Sequence, residues 1–98
     1  MAAPKPEDIL KIATELDPDF APFVSRWDID VGEDWTGDPA VHVVVLLKDA
    51  TIRTAWKIRA PYREELFETL LERVPGYFPY VRFDAESEAI NPEEPARV

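Results

Sequence analysis

The densest group of side chains that could perform chemistry is a run of carboxylates between residues 28 and 38. Its members are Asp28, Asp30, Glu33, Asp34 and Asp38. Carboxylate oxygens bind Mg²⁺ and Ca²⁺, so Asp28, Asp30 and Asp34 are candidate metal ligands of a phosphoester enzyme. A calcium-binding loop that starts at Asp28 would have Glu33 at the glycine position and Pro39 at the position of the bidentate glutamate. The pattern therefore favours a solvated acidic face and a hairpin loop.

Other residue types that support catalysis stand alone in the chain. There is no cysteine, and the single histidine, His42, lies within the apolar run 41–47, where a packed residue with one hydrogen bond is expected. Ser25 and Ser87 stand in no G-x-S-x-G motif. The three glycines are too scattered to surround a phosphate. We therefore predict a protein that is not an enzyme and has no catalytic residue, metal or cofactor.

Basic residues are concentrated in one segment, together with aromatic residues. The basic members are Arg53, Lys57, Arg59 and Arg63. Cations that contact phosphates and rings that stack on bases are typical of single-stranded RNA recognition. An RNA-binding module is therefore an alternative function. The net charge of −9 opposes it, so nucleic acid is not the favoured partner.

The charge is unevenly distributed along the chain. Residues 1–47 carry three Lys or Arg and ten Asp or Glu, whereas residues 48–82 carry seven and five. Residues 83–98 carry one and five. A mildly basic middle thus lies between two acidic ends, and the acidic total favours a more basic partner.

Hydrophobic periodicity predicts the elements that position these side chains. A helix over 7–16 precedes a strand over 24–31 with one wet face, and a near-continuous apolar run over 40–48 predicts a central strand. A helix over 61–74 would begin with Pro61 at its first position. The aromatic segment 77–83 predicts an edge strand because Pro79 cannot donate to a ladder.

Residues 51–59 have two interpretations. As a strand, one face carries Ile52, Thr54, Trp56 and Ile58, and the other carries Arg53, Lys57 and Arg59. As a helix, the segment has a shorter stripe of Ile52, Ala55, Trp56 and Arg59. The alternation slightly favours the strand.

The helical interpretation gives the order helix-strand-strand-helix-helix-strand, which resembles the topology of type II KH domains. The G-x-x-G loop of that family is missing. The resemblance therefore concerns element order alone and implies no residue roles.

The expected fold is α+β, with two helices packed on one face of a three- or four-stranded, mainly antiparallel sheet. We expect residues 1–84 to form the domain and residues 85–98 to form an acidic, mobile tail. The N-terminus has no apolar signal segment and no stretch is long enough to span a bilayer, so we expect a cytoplasmic protein without membrane contact. The abundance of Ala, Pro and Arg hints at a GC-rich bacterial source.

These observations favour a protein-interaction module, a small acidic accessory or antitoxin-like protein. We expect a homodimer or a complex with a more basic protein. Its candidate interaction edge is the predicted last strand, through Tyr77, Phe78, Tyr80 and Arg82, because an aromatic edge is a natural pairing surface.

Overall fold

The structure is a computed structural model that describes residues 3–89. Its elements in chain order are α1 (Pro6–Leu16), β1 (Val24–Glu33), β2 (Pro39–Leu47), α2 (Ile52–Arg73), β3 (Phe78–Ala85) and a single turn, α3 (Glu86–Ala89). Pro6 and two first-turn acids suit the start of α1. Within the described range, no helix combines the length and the apolar character needed to cross a bilayer.

The three strands form one mixed sheet in the order β1-β2-β3. β1 and β2 are an antiparallel hairpin, whereas β2 and β3 are parallel. The α+β class is confirmed, β2 is central, and the three strands in residues 3–89 agree with the expected three or four. The sheet is mixed, with one antiparallel and one parallel pair, and is therefore antiparallel only in part. The parallel pair follows from α2, because a long helical crossover returns the chain to the same end of the sheet.

Residues 52–73 form one helix, so the strand interpretation of 51–59 is wrong. Ala55 joins Tyr62, Leu66 and Leu70 in one buried helical stripe. The face that a strand would have buried is instead open, since Trp56 is 43% exposed and Ile58 is 42% exposed. Pro61 lies inside α2 and does not start it. A single helix thus replaces the helix pair of the KH-like order.

The core lies between the sheet and the two long helices. Its buried members include Ile9 and Ala13 of α1, Val41, Val43 and Val45 of β2, Ala55, Leu66 and Leu70 of α2, and Phe83 of β3.

Tyr62 of α2 connects three elements, because its hydroxyl donates to the Ala13 carbonyl of α1 at 2.8 Å and accepts from Trp27 Nε1 of β1 at 2.9 Å. Its ring stacks on Phe20 at 4.6 Å between centroids.

The fold continues past the predicted domain boundary at residue 84. Ala85 ends β3, and α3 follows it directly. Two hydrogen bonds attach this turn to Asp49, which lies in the short turn between β2 and α2. The Asp49 amide donates to Glu86 Oε2 at 3.0 Å, and the Ser87 amide donates to Asp49 Oδ1 at 3.4 Å. The rest of the predicted tail, 90–98, lies outside the described residues.

Candidate interaction surface

The second face of the sheet points away from the helices. Side chains alternate along a strand, so His42 and Val44 of β2 lie on this face, opposite Asp30 and Asp28 of β1. The parallel register brings Tyr80 beside His42, with their rings stacked at 5.2 Å. His42 Nε2 lies 3.3 Å from the Glu33 carbonyl oxygen. This face is therefore acidic and exposed at β1, and half-buried at His42 of β2 and Tyr80 of β3.

Asp34 fixes the shape of the loop between β1 and β2. Its Oδ1 accepts hydrogen bonds from the Thr36 hydroxyl at 2.6 Å, the Thr36 amide at 2.8 Å and the Asp38 amide at 3.0 Å. Its Oδ2 accepts from the Tyr80 hydroxyl at 3.0 Å. Chiefly because of the bond from the Thr36 hydroxyl, the pKa of Asp34 falls from 3.8 to about 2. Gly37 closes the loop at a φ of 91°. The loop is thus tied both to itself and to β3.

The loop, α2 and β3 together carry an aromatic patch, which we define as Trp35, Phe67, Phe78 and Tyr80. Trp35 is 89% exposed and Phe78 is 47% exposed. The Phe78 ring contacts Phe67 of α2 at 5.5 Å and Tyr80 at 5.0 Å between centroids, both edge to face. All four side chains line one groove of about 780 Å³ beside β3. Large exposed apolar patches mark interaction sites on protein surfaces, so this patch is a candidate binding surface.

β3 leaves one main-chain edge unpaired within the described residues, since β2 is its only neighbour in the sheet. Arg63 of α2 lies along this edge, and its Nε donates to the Val81 carbonyl at 3.5 Å. Pro79, two residues earlier, has no amide hydrogen and suits a position whose nitrogen faces away from the ladder. The main-chain groups of Val81 and of alternate residues along β3 therefore point outward from the sheet.

The four residues predicted as an interaction edge have different environments. Phe78 and Tyr80 belong to the aromatic patch, and Arg82 lines the same groove while its guanidinium pairs with Asp84 at 2.8 Å. Tyr77 instead packs against the core. Sequence reasoning missed Trp35 and Phe67. A tryptophan in a loop rich in Gly, Asp and Pro was the available signal, because such a loop has no buried face for its ring.

The predicted metal ligands do not converge. Asp28 pairs with Arg26 at 3.0 Å, and Asp34 is turned into its own loop. Asp30 lies opposite His42 in the ladder. Within residues 3–89, no group of three or more His, Asp or Glu side chains is placed to hold a metal ion.

Three of the four candidate RNA contacts lie along β3. Arg53 and Lys57 line a hollow with Trp56 near the end of the strand, and Arg63 reaches its middle. Arg59 is engaged elsewhere, because its guanidinium lies 3.9 Å from the centre of the Trp56 ring and donates to the Trp56 carbonyl. Among the residues described, none of these cations forms an ion pair.

Comparisons of this chain with protein-family models, curated proteins and solved structures found no match.

Proposed function

We propose that this chain is a non-enzymatic protein-interaction module that binds a more basic protein through the aromatic patch. The supporting observation is Trp35, which is 89% exposed on a loop held by several hydrogen bonds to Asp34. An exposed tryptophan on a fixed loop offers a large contact area at a small cost in conformational entropy. An accessory or antitoxin-like role in the bacterial cytoplasm is the corresponding biological proposal.

The charge around the patch supports a basic partner. Glu33 at the end of β1 and Asp38 in the following loop lie on either side of Trp35 in the sequence, and both are exposed. The whole chain carries a net charge of −9. Such a field speeds the encounter with a positively charged protein and weakens as salt increases. The aromatic side chains then supply most of the affinity, and the carboxylates supply orientation.

The test is affinity capture from the native cell with the full chain, carried out with three proteins. These are the unchanged chain, the double variant Trp35→Ala with Phe78→Ala, and the control Leu10→Ala, which removes an exposed apolar side chain of α1. Loss of a central aromatic anchor costs about 2 kcal/mol or more, which is more than tenfold in affinity. We expect a stoichiometric basic protein that is retained by the control and lost by the double variant. Capture that is unaffected by the double variant would contradict the proposal.

RNA is the second candidate ligand, favoured by the exposed Arg53 and Lys57 beside Trp56. Arg59 already covers one face of the Trp56 ring, which removes a stacking position for a base. The captured material is therefore also analysed for nucleic acid. RNA that is lost after Arg53→Glu with Lys57→Glu would establish this alternative, whereas its absence from the captured material would exclude it.

A further inference from the structure

We infer that the outer edge of β3 accepts an extended segment of a partner protein as a fourth strand, and that this segment carries carboxylates on the side facing α2. The inference rests on the proposed function in that both place a protein partner at β3. It adds the mode of binding and the local chemistry of the bound segment.

The main chain of β3 has unpaired groups along its outer edge within residues 3–89. Val81 and alternate residues of β3 direct their main-chain groups outward, where no strand of residues 3–89 pairs with them. An unpaired edge beside a helix is the arrangement that receives extended peptides in strand addition, with main-chain hydrogen bonds giving affinity and side-chain pockets giving specificity. Arg63 now satisfies the Val81 carbonyl, and its long side chain can leave that oxygen when a strand arrives.

Two adjoining hollows between α2 and β3 would receive the side chains of such a segment. One lies beside Pro79 and Val81 and contains Phe67 and Phe78 of the aromatic patch. The other lies beside Phe83 and Ala85 and is lined by Trp56 of α2. Because the two follow one another along β3, a single extended chain can reach both. One end of the binding site is therefore aromatic. The other combines Trp56, the basic Arg53 and Lys57, and one carboxylate, Asp84, which is paired with Arg82.

Basic side chains of α2 form one wall of this groove and favour an acidic segment. Arg53, Lys57 and Arg63 project along this side of α2, with Glu64 as the acidic residue among them. The wall is thus basic in an acidic molecule, and it attracts carboxylates regardless of the charge carried by the rest of the partner.

The same wall disfavours a second copy as the occupant. In a symmetric pairing of two β3 edges, equivalent surfaces face each other across the two-fold axis. Residues near one end of a strand would face the opposite end of the other strand, so Arg63, which lies beside Val81 in the middle of the edge, would approach its own copy. Like charges brought together at an interface are costly. An acidic segment from a different protein avoids this repulsion.

The experiment uses a displayed library of random peptides with eight residues, the length of β3, selected on the full chain. We expect enriched peptides with Asp or Glu at alternate positions. Their affinity should fall by more than about tenfold in Arg53→Glu with Lys57→Glu. The matched control Lys5→Glu with Lys11→Glu, which makes the same change of charge at exposed positions on and beside α1, should bind them normally. Amide exchange of Val81 and Phe83 should slow when such a peptide binds.

Three results would each overturn the inference: no enriched peptides, enrichment without acidic residues, or binding that leaves the Val81 and Phe83 amides unprotected. Light scattering that shows a dimer disrupted by substitutions in β3 would assign the edge to a second copy instead. Failure here is distinguishable from failure of the proposed function, because the aromatic patch is tested separately, by capture with Trp35→Ala and Phe78→Ala.

Discussion

Tyr62 is the residue on which the packing of the two helices against the sheet most depends. Its hydroxyl belongs to α2, accepts from Trp27 of β1 and donates to Ala13 of α1. Both partners would lose their hydrogen bond without it. Burial raises the pKa of Tyr62 to about 12, so the neutral hydroxyl persists at all ordinary pH values.

We predict that Tyr62→Phe lowers the free energy of unfolding by about 1–3 kcal/mol, because it leaves a buried carbonyl and an indole N–H without their partner. Urea denaturation measures the change. Tyr77→Phe is the control, because the Tyr77 side chain is half-buried and its hydroxyl makes no hydrogen bond among the described residues. This substitution should change the free energy of unfolding little. Equal effects of the two substitutions would contradict this role of Tyr62.

The loop that carries Trp35 should lose its shape in acid. The pKa of Asp34 is lowered from 3.8 to about 2, so its contribution to the loop is complete above pH 4 and disappears as the pH falls toward 2. The amide resonances of Thr36 and Asp38 should therefore titrate with a midpoint near 2. Asp34→Asn should abolish this titration. A midpoint near 4 would show that the carboxylate lacks these hydrogen bonds in solution.

Most elements of this fold can be read from hydrophobic periodicity, and α2 shows where that reading fails. The sequence predicts a helix over 61–74, because proline is common at the first position of a helix and the apolar and basic residues of 51–59 alternate as in a strand. The structure instead begins the helix at Ile52, which extends the buried stripe to Ala55. The burial of Ala55 against the sheet is a tertiary effect, so neither local propensity nor a short periodic pattern reveals it.

Pro61 should therefore weaken α2. A proline in a helix interior removes one hydrogen bond and costs about 3 kcal/mol relative to alanine. Since Pro61 is exposed, we predict that Pro61→Ala raises the free energy of unfolding by up to about 3 kcal/mol, measured by urea denaturation. Ala60→Gly, at the neighbouring exposed position, should lower it by about 1 kcal/mol. Destabilisation by Pro61→Ala would contradict a continuous helix through this residue.

The candidate site could be predicted in part. The aromatic composition and Pro79 identified β3 as an edge strand, and Phe78, Tyr80 and Arg82 do line one groove there. Trp35 could not be assigned to that groove, because the contact between its loop and β3 depends on the hydrogen bond of Tyr80 to Asp34, 46 residues apart. The position of Tyr77 against the core likewise depends on packing and not on its sequence neighbours.

At the scale of the whole molecule, charge and aromatic surface are arranged around β3. Acidic groups of the first loop surround Trp35 at one end of the strand, whereas Arg53 and Lys57 lie near the other end. The net charge of −9 sets the long-range electrostatic field, which attracts a protein that is basic overall. Near Arg53 and Lys57 the local charge is positive, and it attracts an acidic segment of that protein. A basic partner that contributes one acidic strand fits both the long-range field and the local charge.

The most direct test of the central claim is site-specific photo-crosslinking in the native cell, with a photoreactive phenylalanine analogue in place of Arg82 and, as a control, in place of Leu10. Arg82 lines the groove of the aromatic patch without belonging to the patch, and both side chains are exposed, so the two proteins should fold alike. We predict that position 82 crosslinks to one protein of higher isoelectric point and that position 10 does not. No crosslink from position 82, or the same products from both positions, would contradict the assignment of the aromatic patch as the binding surface.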